Sequence, residues 1–304
     1  MKKIVRALIL SGVLLLPQAT AFGWHDAGHM VVAQIAYLGL SPAAKREVDR
    51  LLLVAPDKRA LVFYCDKKYD PITIAVWMDD FKSDSLNDNY ANWHYINYKP
   101  LFDGVPERAN VGPEPTNVLD RLNWLINTLR AGVEKDKDEA ELLGFLFHLV
   151  GDVHQPMHTT TRYSPKNPDG DAGGNGFAVQ MPAETRIKNL HSFWDSAGGQ
   201  FGFDGVTRDA AGATRIRGFA DRIMKDFPAS AMPERKTLDV QQWVDESNTL
   251  ARKVAYAKIK DGDAPAKSYT DETQKITARR IALAGYRLAE VLNSIYLEQP
   301  KPVK

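Results

Sequence analysis

His148-Leu-Val-Gly-Asp152-Val-His154-Gln-Pro156-Met-His158 gathers three histidines and an aspartate into eleven residues. The run leading into it, Leu142-Leu-Gly-Phe-Leu-Phe-His-Leu-Val150, is apolar enough to be a buried helix. Imidazole and carboxylate groups in an apolar wall are costly unless they are paired or hold a metal. His148 and Asp152 stand at i and i+4, so a helix puts them on one face. Pro156 is expected to end that helix and let His158 fold back toward the same point. Histidine nitrogen and aspartate oxygen are good zinc ligands.

A second His-xxx-Asp pair, His191-Ser-Phe-Trp-Asp195, also lies in an aromatic segment. One such pair among seven histidines is unsurprising and reads as a helix-surface contact. Two pairs in apolar segments, with His158 close behind the first, favour a metal.

Trp24-His25-Asp26-Ala27-Gly28-His29 allows two readings. One is a variant of the His-Glu-x-x-His zinc peptidase motif, in which Asp26 is a methylene short of the usual base. The other needs Trp24 to be a free N-terminus, whose amino group and carbonyl oxygen chelate a metal with His29. Trp77-Met-Asp79-Asp80-Phe-Lys82 places carboxylates at the end of an apolar helix, with Asp80 expected to face solvent. Trp93-His94-Tyr95-Ile96-Asn97 sets a histidine among aromatics, where a backbone-bonded core histidine is the plain alternative.

Helical patterning dominates the remainder. Apolar periodicity predicts helices over 25–39, from Ser41-Pro42 to about 54, from Asp70-Pro71 to about 81, and over 116–130, 138–154, 183–197 and 273–297. Further helical pieces are expected within 211–226 and 238–259. Two stretches look extended, 92–98 and part of 169–180, and suggest a small β-ribbon. The expected class is all-α in one domain, with no linker, repeat or low-complexity stretch.

The N-terminus reads as an export signal. Lys2, Lys3 and Arg6 precede a short apolar core, Ile9 to Leu16, and small residues Ala19, Ala21 and Gly23. Cleavage after Gly23 would expose Trp24 as the first residue. Cys65 is the single cysteine, so no internal disulfide can form. An exported chain without disulfides suits a bacterial periplasm or secretion. The 39 basic and 38 acidic residues balance, which argues against a broad basic surface for nucleic acid. An anionic substrate would have to be held locally, for instance by metal ions.

Taken in order, Trp24, His29, Trp77-x-Asp79, His94-aromatic-Ile96, the His148–His158 block, Gly173-Gly174-Asn175 and His191-xxx-Asp195 resemble the S1/P1 nuclease family. The resemblance covers Trp24 to about Asp195. It implies a helical bundle of the zinc phospholipase C and P1 nuclease type, with residues 1–23 as signal peptide and 24–304 as catalytic domain. It implies three zinc ions per chain. One would take Asp79, His94, His148 and one side of Asp152. A second would take the Trp24 amino nitrogen and carbonyl oxygen, His29 and the other side of Asp152. The third would take His158, His191 and Asp195. His25 and His154 would then bind no metal.

The resemblance further implies hydrolysis of single-stranded DNA and RNA to 5′-phosphate products, and 3′-nucleotidase action, by a metal-bound hydroxide. Asp79, Lys82 and Asp152 are the expected catalytic residues, Asp79 orienting the hydroxide and Lys82 meeting the phosphate. Tyr95 is the expected base platform, and Asn97 and Asn175 the expected substrate contacts. The protein is expected to act as a monomer with no membrane anchor. The main alternative is a zinc phospholipase C acting on lipid phosphodiesters. Two others are a zinc peptidase using His25 and His29, and a non-catalytic zinc-binding protein.

Overall fold

The computed structural model describes residues 24–53, 69–82, 88–202 and 205–297. The expected signal peptide and Cys65 lie outside them. Nine α-helices form the described framework: α1 (Asp26–Leu38), α2 (Pro42–Leu52), α3 (Trp77–Lys82), α4 (Val118–Ala131), α5 (Asp136–His154), α6 (Leu190–Asp195), α7 (Ala210–Asp226), α8 (Val240–Leu250) and α9 (Lys267–Ile295). Short 3₁₀ turns punctuate them, and α8 runs into a π-turn at Ala251–Ala255.

Local chemistry starts most of these helices. Ser41 accepts from Ala44 N with Pro42 in the first turn of α2. Asn117 accepts from Leu119 N and Asp120 N to open α4. Asn189 caps α6, Asp209 α7 and Asp239 α8. Each side-chain oxygen satisfies amides that the helix itself leaves unbonded.

α5 is buried on every side from Leu143 to His154. An element enclosed that way cannot be amphipathic, which is why its sequence is apolar all round. It packs against α1, α2, α4, α8 and α9, and the 29-residue α9 in turn backs α1 and α7. These helices share the main core, with Trp24, Trp77, Phe147 and Trp243 among its largest side chains. A second, smaller core gathers Met157, Phe177, Leu190, Phe193, Trp194, Tyr256 and Tyr269. α5 belongs to the first core and α6 to the second.

The small sheet exists but not where the pattern placed it. Its strands, β1 (Leu101–Phe102) and β2 (Arg162–Tyr163), pair in parallel. Residues 88–94 form a 3₁₀ turn, and the chain after it runs alongside 158–161: Ile96 N donates to His158 O and Leu101 N to Thr161 O. The other stretch contributes a single antiparallel bridge, Ala178 with Asn189. The stretch expected to be extended, 92–98, is thus a 3₁₀ turn as far as His94 and carries no strand; β1 begins three residues beyond it.

The helix expected over 183–197 is also broken. A 3₁₀ turn at Ala183–Thr185 ends where Arg186 takes a left-handed backbone, φ 59°. Lys188 O then accepts from Val179 N, and Asn189 restarts the chain as α6.

Candidate metal centre

The i,i+4 spacing brings His148 Nε2 within 3.1 Å of Asp152 Oδ2, both fully buried. Gln155 leaves the helix at ψ 119°, Pro156 opens a 3₁₀ turn, and His158 Nδ1 comes back to 3.6 Å from Asp152 Oδ1. The parallel run of 96–101 against 158–161 delivers His94, whose Nδ1 lies 2.9 Å from Asp152 Oδ2 and 3.0 Å from His148 Nε2. α3 adds Asp79, with Oδ1 3.6 Å from His148 Nε2 and 3.9 Å from His94 Nδ1. α1 adds His29, its ring stacked 4.0 Å from that of His148 and its Nε2 3.4 Å from Asp152 Oδ1.

Close packing of α1 on α5 depends on Gly151. A Cβ there would stand 2.6 Å from His29 Nδ1, inside contact distance. The same glycine's carbonyl accepts from the buried Trp24 indole at 2.9 Å, which pins the start of the described chain beside the cluster.

Backbone carbonyls orient the rings. Nδ1–H of His148 donates to Ala75 O, that of His158 to His94 O and that of His191 to Gly173 O, at 2.7, 2.6 and 2.8 Å. Each bond sets the tautomer and turns the Nε2 lone pair inward, the arrangement that metal-ligating histidines favour. Gly173 must be glycine for this. Its φ is 65°, and a Cβ would meet Met157 O at 2.6 Å. In α6, His191 Nε2 lies 3.4 Å from Asp195 Oδ2, and His158 Nε2 3.9 Å from Asp195 Oδ1.

Three groups thus have ligand atoms close enough to share an ion: His29, Asp79 and His148; His94, His148 and Asp152; and His158, His191 and Asp195. Neither ring nitrogen of His29 has a hydrogen-bond partner among the described residues, nor do Asp79 Oδ1 and Asp152 Oδ1, all of them buried. Orphaned buried donors and acceptors of this kind carry a large desolvation cost. A nitrogen and oxygen set of this composition fits zinc.

Charge in the cluster agrees. Burial opposes ionisation of Asp152, but His148 and His158 outweigh it and hold the carboxyl well below the usual carboxylate range. Burial is outweighed likewise at Asp79, lowered by His148, His94 and His29. His148 is pushed up to about 9: burial opposes its charge, and Asp152 and Asp79 prevail. His29 is held low by burial and by the His148 ring. A cation arriving here would displace the His148 proton and meet two carboxylates already ionised.

The other sequence-predicted residues lie as follows. Lys82 ends α3. Tyr95 is half-buried and its hydroxyl donates to Asn92 Oδ1. The Asn97 amide donates to Glu114 Oε1. Asn175 donates to Ala172 O and accepts from Asn189. His25 is exposed and joins Asp26, Asp79, Ser196, Phe201 and Val206 around a cavity of about 330 Å³, which opens onto Asp79. His154 is a core histidine: Nδ1–H donates to Val150 O, and Nε2 accepts from the buried Arg287.

Asp80 corrects the expectation of a solvated turn. It is buried, accepts both terminal guanidinium nitrogens of Arg208, and takes the Tyr69 hydroxyl at 2.9 Å. Arg208 also reaches Asp26 at 2.8 Å, tying α3 to the start of α1. Its position, 128 residues beyond Asp80, gave spacing arguments nothing to find. Gln155 is another omission. Its Nε2 donates to Asp195 Oδ1 at 2.5 Å while its Oε1 accepts from Met157 N. Its place inside the His-Gln-Pro block was the available signal. Asp171 is a third, accepting from Gly174 N, Arg162 N and the Tyr256 hydroxyl and so holding the Gly173 turn.

The family model of S1/P1 nuclease matches residues 24–297. Among curated relatives, Nuclease S1 of Aspergillus oryzae is 24% identical over 95% of this chain and 98% of its own. Endonuclease 2 of Arabidopsis thaliana is 24% identical over 95% and 96%. Nuclease P1 of Penicillium citrinum is 24% identical over 90% and 98%.

Proposed function

The chain belongs to the S1/P1 nuclease family and is a hydrolase of the nuclease class, and from that premise we propose that it is a three-zinc enzyme cutting single-stranded DNA and RNA to 5′-phosphate products. The same centre would remove the 3′-phosphate of nucleotides. The observation that carries this reading is the presence of three buried His/Asp groups, each with mutually close ligand atoms and two of them sharing His148.

Asp79, His94, His148 and one Asp152 oxygen would hold one zinc. His29, the other Asp152 oxygen, and the amino nitrogen and carbonyl oxygen of Trp24 would hold a second. His158, His191 and Asp195 would hold the third. Bound zinc supplies Lewis acidity, which brings the pKa of water from about 15.7 to about 7 and neutralises phosphate charge.

The chain's own groups do the rest. Asp79, on the wall of the cavity, orients the attacking water toward phosphorus. Water adds as the P–O3′ bond breaks, with no side-chain nucleophile and no covalent intermediate. Lys82 brings charge to the phosphate without the paired donors of an arginine. Tyr95 offers a ring face to a base, and stacking of this kind contributes about 1–3 kcal/mol. Asn97, held by Glu114, and Asn175 in the glycine turn complete the substrate side. A duplex keeps its bases stacked on each other and cannot use such a face, which is the physical basis of single-strand preference.

Residues 1–23 are proposed as a signal peptide whose removal frees the Trp24 amine. The mature chain is then exported and monomeric. No helix among the described residues is long and apolar enough to cross a membrane.

The test compares single-stranded DNA with phosphatidylcholine micelles, using zinc-loaded, leader-free protein. Release of 5′-phosphorylated nucleotides from DNA supports the reading. Turnover of micelles alone overturns it in favour of a lipid phosphodiesterase.

A further inference from the structure

Trp124 stands out on the surface of α4, 41% exposed where bulky apolar side chains are usually covered. It is not isolated. Trp93 meets it edge-on at 6.2 Å, and the Arg121 guanidinium lies 5.2 Å from the Trp93 ring and 5.5 Å from the Trp124 ring. Tyr90 packs edge-on against Trp93 at 4.8 Å, and Phe145 of α5 backs Trp93 at 5.0 Å. Two indoles with a guanidinium against both form an aromatic surface, the Arg121 charge being paired with Asp120 Oδ2, to which its Nε donates at 2.8 Å.

This surface adjoins the metal-centre residues along the chain. Trp93 directly precedes His94, and Tyr95 directly follows it. α4 begins where Val118 N donates to Tyr95 O at 3.0 Å. Arg121 and Trp124 follow at three-residue steps, so Trp124 stands about 9 Å along the helix from that anchor. Resting on the nuclease reading above, we infer that Tyr90, Trp93, Arg121 and Trp124 form a second nucleobase platform, which binds nucleotides of a single strand neighbouring the one being cut. Aromatic faces stack bases whatever their sequence, and an arginine against such faces adds cation–π attraction. The platform serves polynucleotides and is unused by mononucleotides, which end at Tyr95.

The experiment measures kcat and KM of zinc-loaded, leader-free protein for a thymidylate 12-mer and for thymidine 3′-monophosphate, in wild type, Trp124→Ala and Trp124→Phe. Trp124→Ala is expected to raise the 12-mer KM at least five-fold, to leave its kcat unchanged, and to leave both constants for the mononucleotide unchanged. Trp124→Phe, which keeps a ring, restores most of the 12-mer affinity. An unchanged 12-mer KM, or an equal rise for both substrates, overturns the platform. So does a wild-type dimer in size-exclusion chromatography that Trp124→Ala dissolves, because a second copy would then cover the face. Should wild type turn over neither substrate, the nuclease reading itself fails. Anisotropy of a labelled 12-mer still judges the platform in that case, with equal affinity in wild type and Trp124→Ala refuting it.

Discussion

At the scale of single residues, the group of His158, His191 and Asp195 rests on a glutamine outside the proposed ligand set. Gln155 donates to Asp195 with one end of its amide and staples the turn before His158 with the other. Gln155→Ala is expected to weaken metal at His158, His191 and Asp195 by about 10–100-fold, the usual consequence of losing a ligand's supporting bond. Titration with a competing chelator measures it, and an unchanged affinity would leave Gln155 a turn residue only. Gly151 makes a similar case through space. Gly151→Ala pushes a methyl into His29 and is expected to cost about 1–3 kcal/mol by urea unfolding, as overpacking in a tight core does. The gathering of His148 with Asp152 and of His191 with Asp195 was legible in the sequence, because these residues announce themselves by spacing within apolar segments. Gln155, Arg208 and Asp171 were not, because an amide, a guanidinium and a carboxylate acquire meaning only from partners that folding brings to them.

At the scale of elements, the centre is assembled by contacts between segments, with α5 as the common reference. Helix boundaries were readable to within a few residues where a cap and a proline marked the start, as at Ser41-Pro42, and where apolar periodicity ran long, as over 116–130. The pairing of the chain after His94 with 158–163 was not readable, since strand pairing is a relation between distant segments. That pairing is what sets His94 against His158. The break inside 183–197 was hidden too, because Arg186 adopts a left-handed backbone with no glycine to signal it. The loop before α6 carries its own prediction. Gly173→Ala meets both a positive φ and a backbone oxygen, and is expected to turn the His191 ring away from Gly173 O. Loss of one zinc per chain by elemental analysis, with the other two retained, is the expected outcome. Full retention would show that the turn tolerates a side chain.

At the scale of the whole molecule, α8 and α9 hold the far side of α5 through buried charge. Arg280 and Arg287, at 2% and 0% exposure, share Glu246, and Arg287 also meets His154. Burial works against charge on Glu246, but the two arginines prevail and keep its carboxyl below the ordinary value. A depressed carboxyl pKa gives stability that is present above the unfolded value, near 4.3, and lost as pH falls through the folded one. Glu246→Gln is therefore expected to cost about 2 kcal/mol at neutral pH, less than a fully buried pair because a third of Glu246 stays in water. The deficit should shrink below about pH 4, as thermal unfolding at several pH values would reveal; a deficit independent of pH would mean that packing, not charge, is what the glutamate supplies. Membership of the nuclease family covers the whole described length, residues 24–297. The most direct test of the central claim is the zinc content of leader-free protein that is active on single-stranded DNA, measured by inductively coupled plasma mass spectrometry. The account predicts three zinc ions per chain, falling to one in Asp152→Ala because one carboxylate serves two of them; an active chain with one zinc or none would contradict it.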